Sequence, residues 1–239
     1  MLKDIFRGIN FQNKYVNLIK ESLVFSSFFS YIYILGLPLL LFFTPFIREH
    51  DWAMTALIAF AGIFYLIFLI YYFRKDLIKE WKIFKDNFND VIDVTIKYWF
   101  IGVIGMVVLN YLIATFLPSA TPTNQNLIEE QIFKFPLYMA FAVIIFAPLA
   151  EELIFRKLLR RMFPTPWVFI FMSTLTFGVC HVVASATGWH DFALIVPYAV
   201  LGWAFAMTYI KTKTIYSVIF IHAIHNGMLF AVIVAGHFF

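Results

Sequence analysis

Runs of about 20 apolar residues alternate along the chain with short stretches that carry nearly all of its charge. Leu23 to Ile47, Trp52 to Phe73, Tyr98 to Leu117, Pro136 to about Arg156, Trp167 to Thr187, Phe192 to Ile210 and Ile215 to Ala235 are the runs. Each comes close to the roughly 20 residues that a helix needs to cross about 30 Å of hydrocarbon. The pattern predicts an all-α, polytopic integral membrane protein with about seven transmembrane helices. The polar turn from Arg48 to Asp51 pairs the first two as a helical hairpin. From Arg74 to Lys97 the pattern changes: Leu77, Ile78, Trp81, Phe84, Phe88 and Ile92 recur every three or four residues between lysines and aspartates. That spacing predicts an amphipathic helix over 74–97 lying in the membrane interface. Met1 to Glu21, with Lys3, Arg7, Lys14 and Lys20 among apolar residues, is expected at the membrane surface. It is not a cleavable signal peptide, because the apolar run behind it is too long and no small-residue cleavage pattern follows. Pro118 to Gln131, rich in Ser, Thr, Pro and Asn, is expected to be the longest irregular loop.

Composition narrows the class. Of 239 residues 62% are hydrophobic and 13% charged, more apolar surface than one soluble core of this size could bury. The net charge of +4 looks like a hint of nucleic acid only until the basic residues are located. With the N-terminus in the cytoplasm, four precede the first run and six, four and two fall in the second, fourth and sixth connections, leaving Arg48 and Lys134 opposite. Such a split is a topology signal, and it predicts a cytoplasmic N-terminus and an outer C-terminus. The single cysteine, Cys180, excludes an internal disulfide, and no CxxC or zinc-finger spacing is present.

The chemistry is concentrated in the C-terminal half. Ala147-Pro-Leu-Ala-Glu-Glu-Leu-Ile-Phe-Arg156 places Glu151, Glu152 and Arg156 within an apolar run, where each charge costs about 2.5 to 3.5 kcal/mol at a bilayer centre. The other ionisable groups within the runs are His181, and His222 with His225 beside Asn226. Residues four apart share a helix face, which stacks Glu152 on Arg156, Phe177 on His181 and His222 on Asn226. Glu151 lies about 100° round the helix from Glu152, and Pro148 offers the distortion that brings both to use. The bland reading makes Glu152 and Arg156 a structural ion pair, and the histidines and Asn226 interhelical hydrogen-bonders. It leaves unexplained why a carboxylate pair, a deep His and a His-x3-Asn fall on three different spans of one half. A glutamate among imidazoles in an apolar site is suited to take a proton from water as a general base. His222 and Asn226 offer donors suited to an oxyanion. His and Glu are also zinc ligands, so Glu151, His181 and His222 are a candidate metal set. Together these groups point to amide hydrolysis.

In order and on successive spans, Glu151-Glu152-x3-Arg156, Phe177-x3-His181 and His222-x3-Asn226 resemble the three motifs of the CPBP family. These are the CAAX-protease and bacteriocin-processing intramembrane proteases, also called the Abi family. The likeness covers roughly Pro136 to Ala235, which divides the chain into an N-terminal membrane region, 1–135, and a protease-like core, 136–239. It implies that Glu151 activates water, His181 assists, and His222 and Asn226 stabilise the oxyanion, with Glu152 and Arg156 in support. Members have been described both as metalloproteases and as glutamate-dependent enzymes, which keeps zinc a candidate cofactor. Lys157 departs from the glycine often found after the arginine. The expected partners are the lipid bilayer and a membrane-associated peptide, whether prenylated, pheromone or bacteriocin-type, cut near the cytoplasmic face, and no nucleic acid. The competing function is a non-enzymatic partner-binding or immunity protein that keeps the fold. A transporter is disfavoured by the lack of repeats and of charges in the first three spans.

Overall fold

The computed structural model describes residues 11–30, 50–120 and 122–238, and among them the fold is helical throughout. Helix α1, Phe11–Ser30, carries the start of the expected first span. The rest of that span, the turn after it and the first ten residues lie outside the described residues. Helix α2, Asp51–Asp86, continues the second span without a break for 36 residues, roughly 54 Å. Helix α3 is Phe88–Phe116.

A separate interfacial helix over 74–97 is therefore corrected. Asn87 turns both its backbone N–H and its side-chain amide to the Ile83 carbonyl, and the chain breaks there between α2 and α3. The apolar stripe does not face lipid headgroups throughout. Trp81 packs edge-on against Tyr216, and Phe84 against Phe220, at ring separations of 4.9 and 5.4 Å.

The expected loop 118–131 also departs from expectation, since Thr123–Lys134 forms helix α4. The turn-forming Pro and Ser residues end by 122. Behind them Gln125 donates to Glu129 one turn on, at 3.0 Å, and Ile132 is buried, which is the pattern of a helix packed on one side. Helix α5, Pro136–Met162, runs six residues past Arg156. Arg156 and Lys157 do not end the span at the interface; they are 0% and 7% exposed. Helix α6, Pro166–Val182, stops five residues before the expected Thr187. A 3-10 turn, Trp189–Leu194, leads into α7, Ile195–Thr212. Lys213, in the left-handed conformation at φ 58°, reverses the chain into α8, Ile215–Phe238.

Among the described residues, five helices are long and apolar enough to cross a membrane, and α6 is a shorter apolar one. The core is a stack of aromatic and aliphatic side chains from both halves of the chain. Phe155 of α5 lies edge-on to Phe28 of α1 and to Phe177 of α6, at 5.5 and 5.8 Å. Leu69 and Phe73 of α2 join the same cluster with Phe205 of α7 and Val218 of α8.

Beneath this core lies a polar tie that the motifs do not announce. The Lys157 ammonium pairs with Glu80 of α2 and lies 3.3 Å from the Tyr209 hydroxyl. Glu80 Oε2 accepts the Ile215 N–H at 2.8 Å, so one carboxylate holds a lysine and the first turn of α8 together. The departure from glycine at Lys157 is thus accommodated by a partner from the other half of the chain.

Candidate active site

Helix α5 carries the acidic pair between two stretches of π-helix, Phe141–Phe146 and Leu153–Leu158. At the first, Ala147 N–H bonds to Ala142 O, five residues back. In that register the N–H missing from Pro148 is the one that would meet the Val143 carbonyl. Asn226 of α8 takes the place, donating its Nδ2 to Val143 O at 2.8 Å. At the second stretch the Phe155 carbonyl accepts the Ser173 hydroxyl of α6 at 2.7 Å. Each widened turn is thus closed by a side chain from a neighbouring helix, consistent with π-bulges being costly and often functional.

Between them the two glutamates part company. Glu151 faces a cavity of about 510 Å³ that His181, His222 and Asn226 also line. Its Oε2 lies 3.7 Å from His181 Nε2. His181 Nδ1 lies 2.7 Å from the Phe177 carbonyl, which can only accept, so Nδ1 bears the hydrogen. In the neutral ring Nε2, the nitrogen facing Glu151, is then an acceptor. Tyr198 stacks on the ring at 4.9 Å and Phe177 lies against it at 4.3 Å, which holds the imidazole in place.

Glu152 points into the protein. Its Oε1 accepts His222 Nδ1 at 2.8 Å, and its Oε2 lies 3.1 Å from Arg156 Nε. That second contact is ionic and is not aligned as a hydrogen bond, because Nε directs its hydrogen elsewhere. The guanidinium instead donates from Nη2 to the Gly202 carbonyl at 3.2 Å, and lies 4.5 and 5.3 Å from the ring centres of Phe177 and Phe205. Both charges are wholly buried, the setting in which pairing and aromatic cover are required. Gly202 lets Phe177 pack close beside the guanidinium: a Cβ there would stand 3.0 Å from the Phe177 side chain.

The six polar residues singled out by the motifs therefore form two linked groups, an open one around Glu151 and a closed one around Glu152, with His222 touching both. Sequence reasoning passed over Tyr198 and gave His225 no role beyond an interhelical hydrogen bond, yet both line the cavity, His225 one turn from His222. It passed over Asp191 too, whose carboxylate accepts the N–H groups of Thr187 and Gly188 at 2.8 and 3.1 Å and so pins the turn behind His181. The Thr-Gly-x-x-Asp spacing before an apolar run was the available signal for that turn.

The candidate zinc set does not fit this arrangement. Among the described residues no group of three or more His, Cys, Asp or Glu is placed to hold a metal ion. Glu151 Oε2 and His181 Nε2 stand 3.7 Å apart, and His222 turns its Nδ1 to Glu152 instead of to Glu151.

Comparison with known proteins agrees with the motifs. Residues 133–228 match the family described as Type II CAAX prenyl endopeptidase Rce1-like, a family of peptidases. Neither the curated proteins nor the solved structures give a significant match to the chain. The matched stretch begins just before α5 and ends within α8, and so contains all three motifs. Residues 133–228 of this membrane protein are a domain of the CAAX-protease family.

Proposed function

We propose that the chain is an intramembrane endopeptidase that cuts a membrane-associated peptide by direct attack of water, with Glu151 as general base. The observation that carries this reading is the facing pair of Glu151 Oε2 and His181 Nε2. At 3.7 Å they are too far apart for a direct hydrogen bond, and both residues line the cavity from which a water molecule would reach them. Both are acceptors, so they take the two hydrogens of that water and leave its oxygen lone pair free to attack. As the new C–O bond forms, the water proton passes to Glu151 and the carbonyl oxygen becomes an oxyanion. The second N–H of Asn226, already oriented by Val143, is the donor for it, beside the His222 ring that Glu152 holds through Nδ1. Collapse breaks the C–N bond, and Glu151 returns its proton to the departing amine.

Arg156 and Glu152 act through His222, as positioning residues. The N-terminal region, 1–135, supplies helices that pack on this core, and the chain lies with its N-terminus in the cytoplasm and its C-terminus outside. Purified protein assayed with fluorogenic membrane peptides tests the chemistry. Glu151→Gln and His181→Ala are expected to lower turnover by about 10²- to 10⁴-fold with unchanged yield and thermal stability. Wild-type turnover in either variant would remove the proposed roles.

A further inference from the structure

His225 is a buried, cavity-lining group that the peptidase chemistry leaves idle. It is 5% exposed, borders the cavity, and makes no hydrogen bond to any other described residue. The other two imidazoles of the cavity are tied down, His222 to Glu152 at 2.8 Å and His181 to the Phe177 carbonyl at 2.7 Å. On one side of His225, Trp99 of α3 meets the ring edge-on at 6.4 Å. The Trp99 indole N–H is itself buried without an acceptor, so it does not satisfy the imidazole. A buried polar group left without a partner is unfavourable, and one that persists at the wall of a cavity points to a partner that arrives there.

The place of His225 on α8 identifies that partner. At 3.6 residues per turn His225 falls about 60° to one side of His222 and Asn226 about 40° to the other. The contacts follow the same division, Asn226 reaching Val143 of α5 and His225 meeting Trp99 of α3. Two side chains about 100° apart on a helix 10–12 Å across have tips roughly 8 to 9 Å from one another. That span is two to three residues of extended chain at about 3.3 Å each. A peptide whose scissile carbonyl lies at Asn226 therefore brings a peptide group two or three residues away to His225. Such a chain needs partners for its N–H and C=O groups when it leaves water, and among the described residues no strand edge is available to supply them. A neutral imidazole has one donor and one acceptor nitrogen, which matches what a peptide group presents.

We propose that His225 is a substrate-binding residue, whose imidazole hydrogen-bonds the backbone of the bound peptide two or three residues from the scissile bond, on the α3 side of the cavity. The assignment rests on the peptidase reading for the identity of the ligand. A contact with the backbone is blind to side chains, so it fixes the register of the peptide over Glu151 and Asn226 and does not select its sequence. Trp99, which lies outside the matched stretch, supports the ring and so gives α3 a part in holding the substrate.

Steady-state kinetics on fluorogenic membrane peptides tests it, with purified wild-type protein and His225→Phe, which keeps an aromatic ring against Trp99 and removes both ring nitrogens. His225→Phe is expected to raise KM about tenfold, the effect of one lost hydrogen bond, with kcat changed less than about twofold. His225→Gln, which restores a donor and an acceptor, is expected to recover much of that loss. Esters are then substituted, one at a time, for the peptide groups two and three residues to either side of the scissile bond; each lacks the N–H and carries a weaker carbonyl acceptor. At one of these positions the ester is expected to raise KM about tenfold in the wild type and less than about twofold in His225→Phe. An unchanged KM in His225→Phe, a fall in kcat in its place, or an ester penalty equal in both proteins at every position overturns the proposal. His225→Leu carries the same expectations if His225→Phe gives no folded protein. A wild-type protein that cleaves nothing overturns the peptidase reading alone. The comparison is then made as Kd, from the fluorescence anisotropy of the labelled peptide, and an equal Kd for both proteins, or no binding, overturns the role of His225.

Discussion

At the residue scale the informative contrast is between two adjacent glutamates. Glu151 borders the cavity and makes no hydrogen bond through Oε2, while Glu152, next in sequence, is enclosed by His222 and Arg156. Their substitutions are therefore expected to fail differently. Glu152→Gln removes a buried negative charge from beside a buried arginine, and breaking such a pair costs about 3 to 5 kcal/mol. The expected outcome is a lower yield and a lower unfolding temperature, whereas Glu151→Gln loses turnover with the fold intact. Thermal unfolding of both variants, followed in the same detergent, decides the matter: equal stability losses would mean that the two carboxylates are not divided in this way. The identities of these residues were legible in sequence because charges in an apolar run are rare. Which of the two faces the cavity was not, because that depends on the helix register set by Pro148, Asn226 and Ser173.

At the scale of the element, the boundaries that sequence missed share one cause. Polar residues were read as marking span ends, yet several of them are neutralised inside the protein. Arg156 and Lys157 continue α5, and Glu80, assigned to a surface helix, is buried against α8. Long helices with internal ion pairs look like shorter ones with polar flanks when partners are unknown. Glu80→Ala is expected to strip Lys157 of its counter-charge and the Ile215 N–H of its acceptor, again at a cost of about 3 to 5 kcal/mol. Lys157→Met alone leaves Glu80 buried without its cation, and the double variant Glu80→Met with Lys157→Met should recover much of the loss, a coupling that a double-mutant cycle measures directly. Additive effects would show that the two side chains do not stabilise each other.

At the scale of the whole molecule, the cavity is the product of segments far apart in sequence, and its dimensions are a property of none of them. Its wall includes Ala114 of α3, a helix outside the matched stretch of chain. Ala114→Trp is expected to fill part of the roughly 510 Å³ volume and to raise KM severalfold for long apolar peptides, with kcat for short ones little changed. Steady-state kinetics on a peptide-length series reads this out, and a uniform fall in kcat would place the residue among the groups that act on chemistry. What sequence by itself determined is the helical membrane class and which polar side chains fall within the apolar runs. These follow from transfer energies and from spacing within single helices, which need no knowledge of neighbours. Only the tertiary structure decided the separate fates of Glu151 and Glu152, the burial of Lys157 and which segments line the cavity. Each of those depends on which helices touch, and a side chain's partner across a bundle leaves no mark on its own stretch of chain.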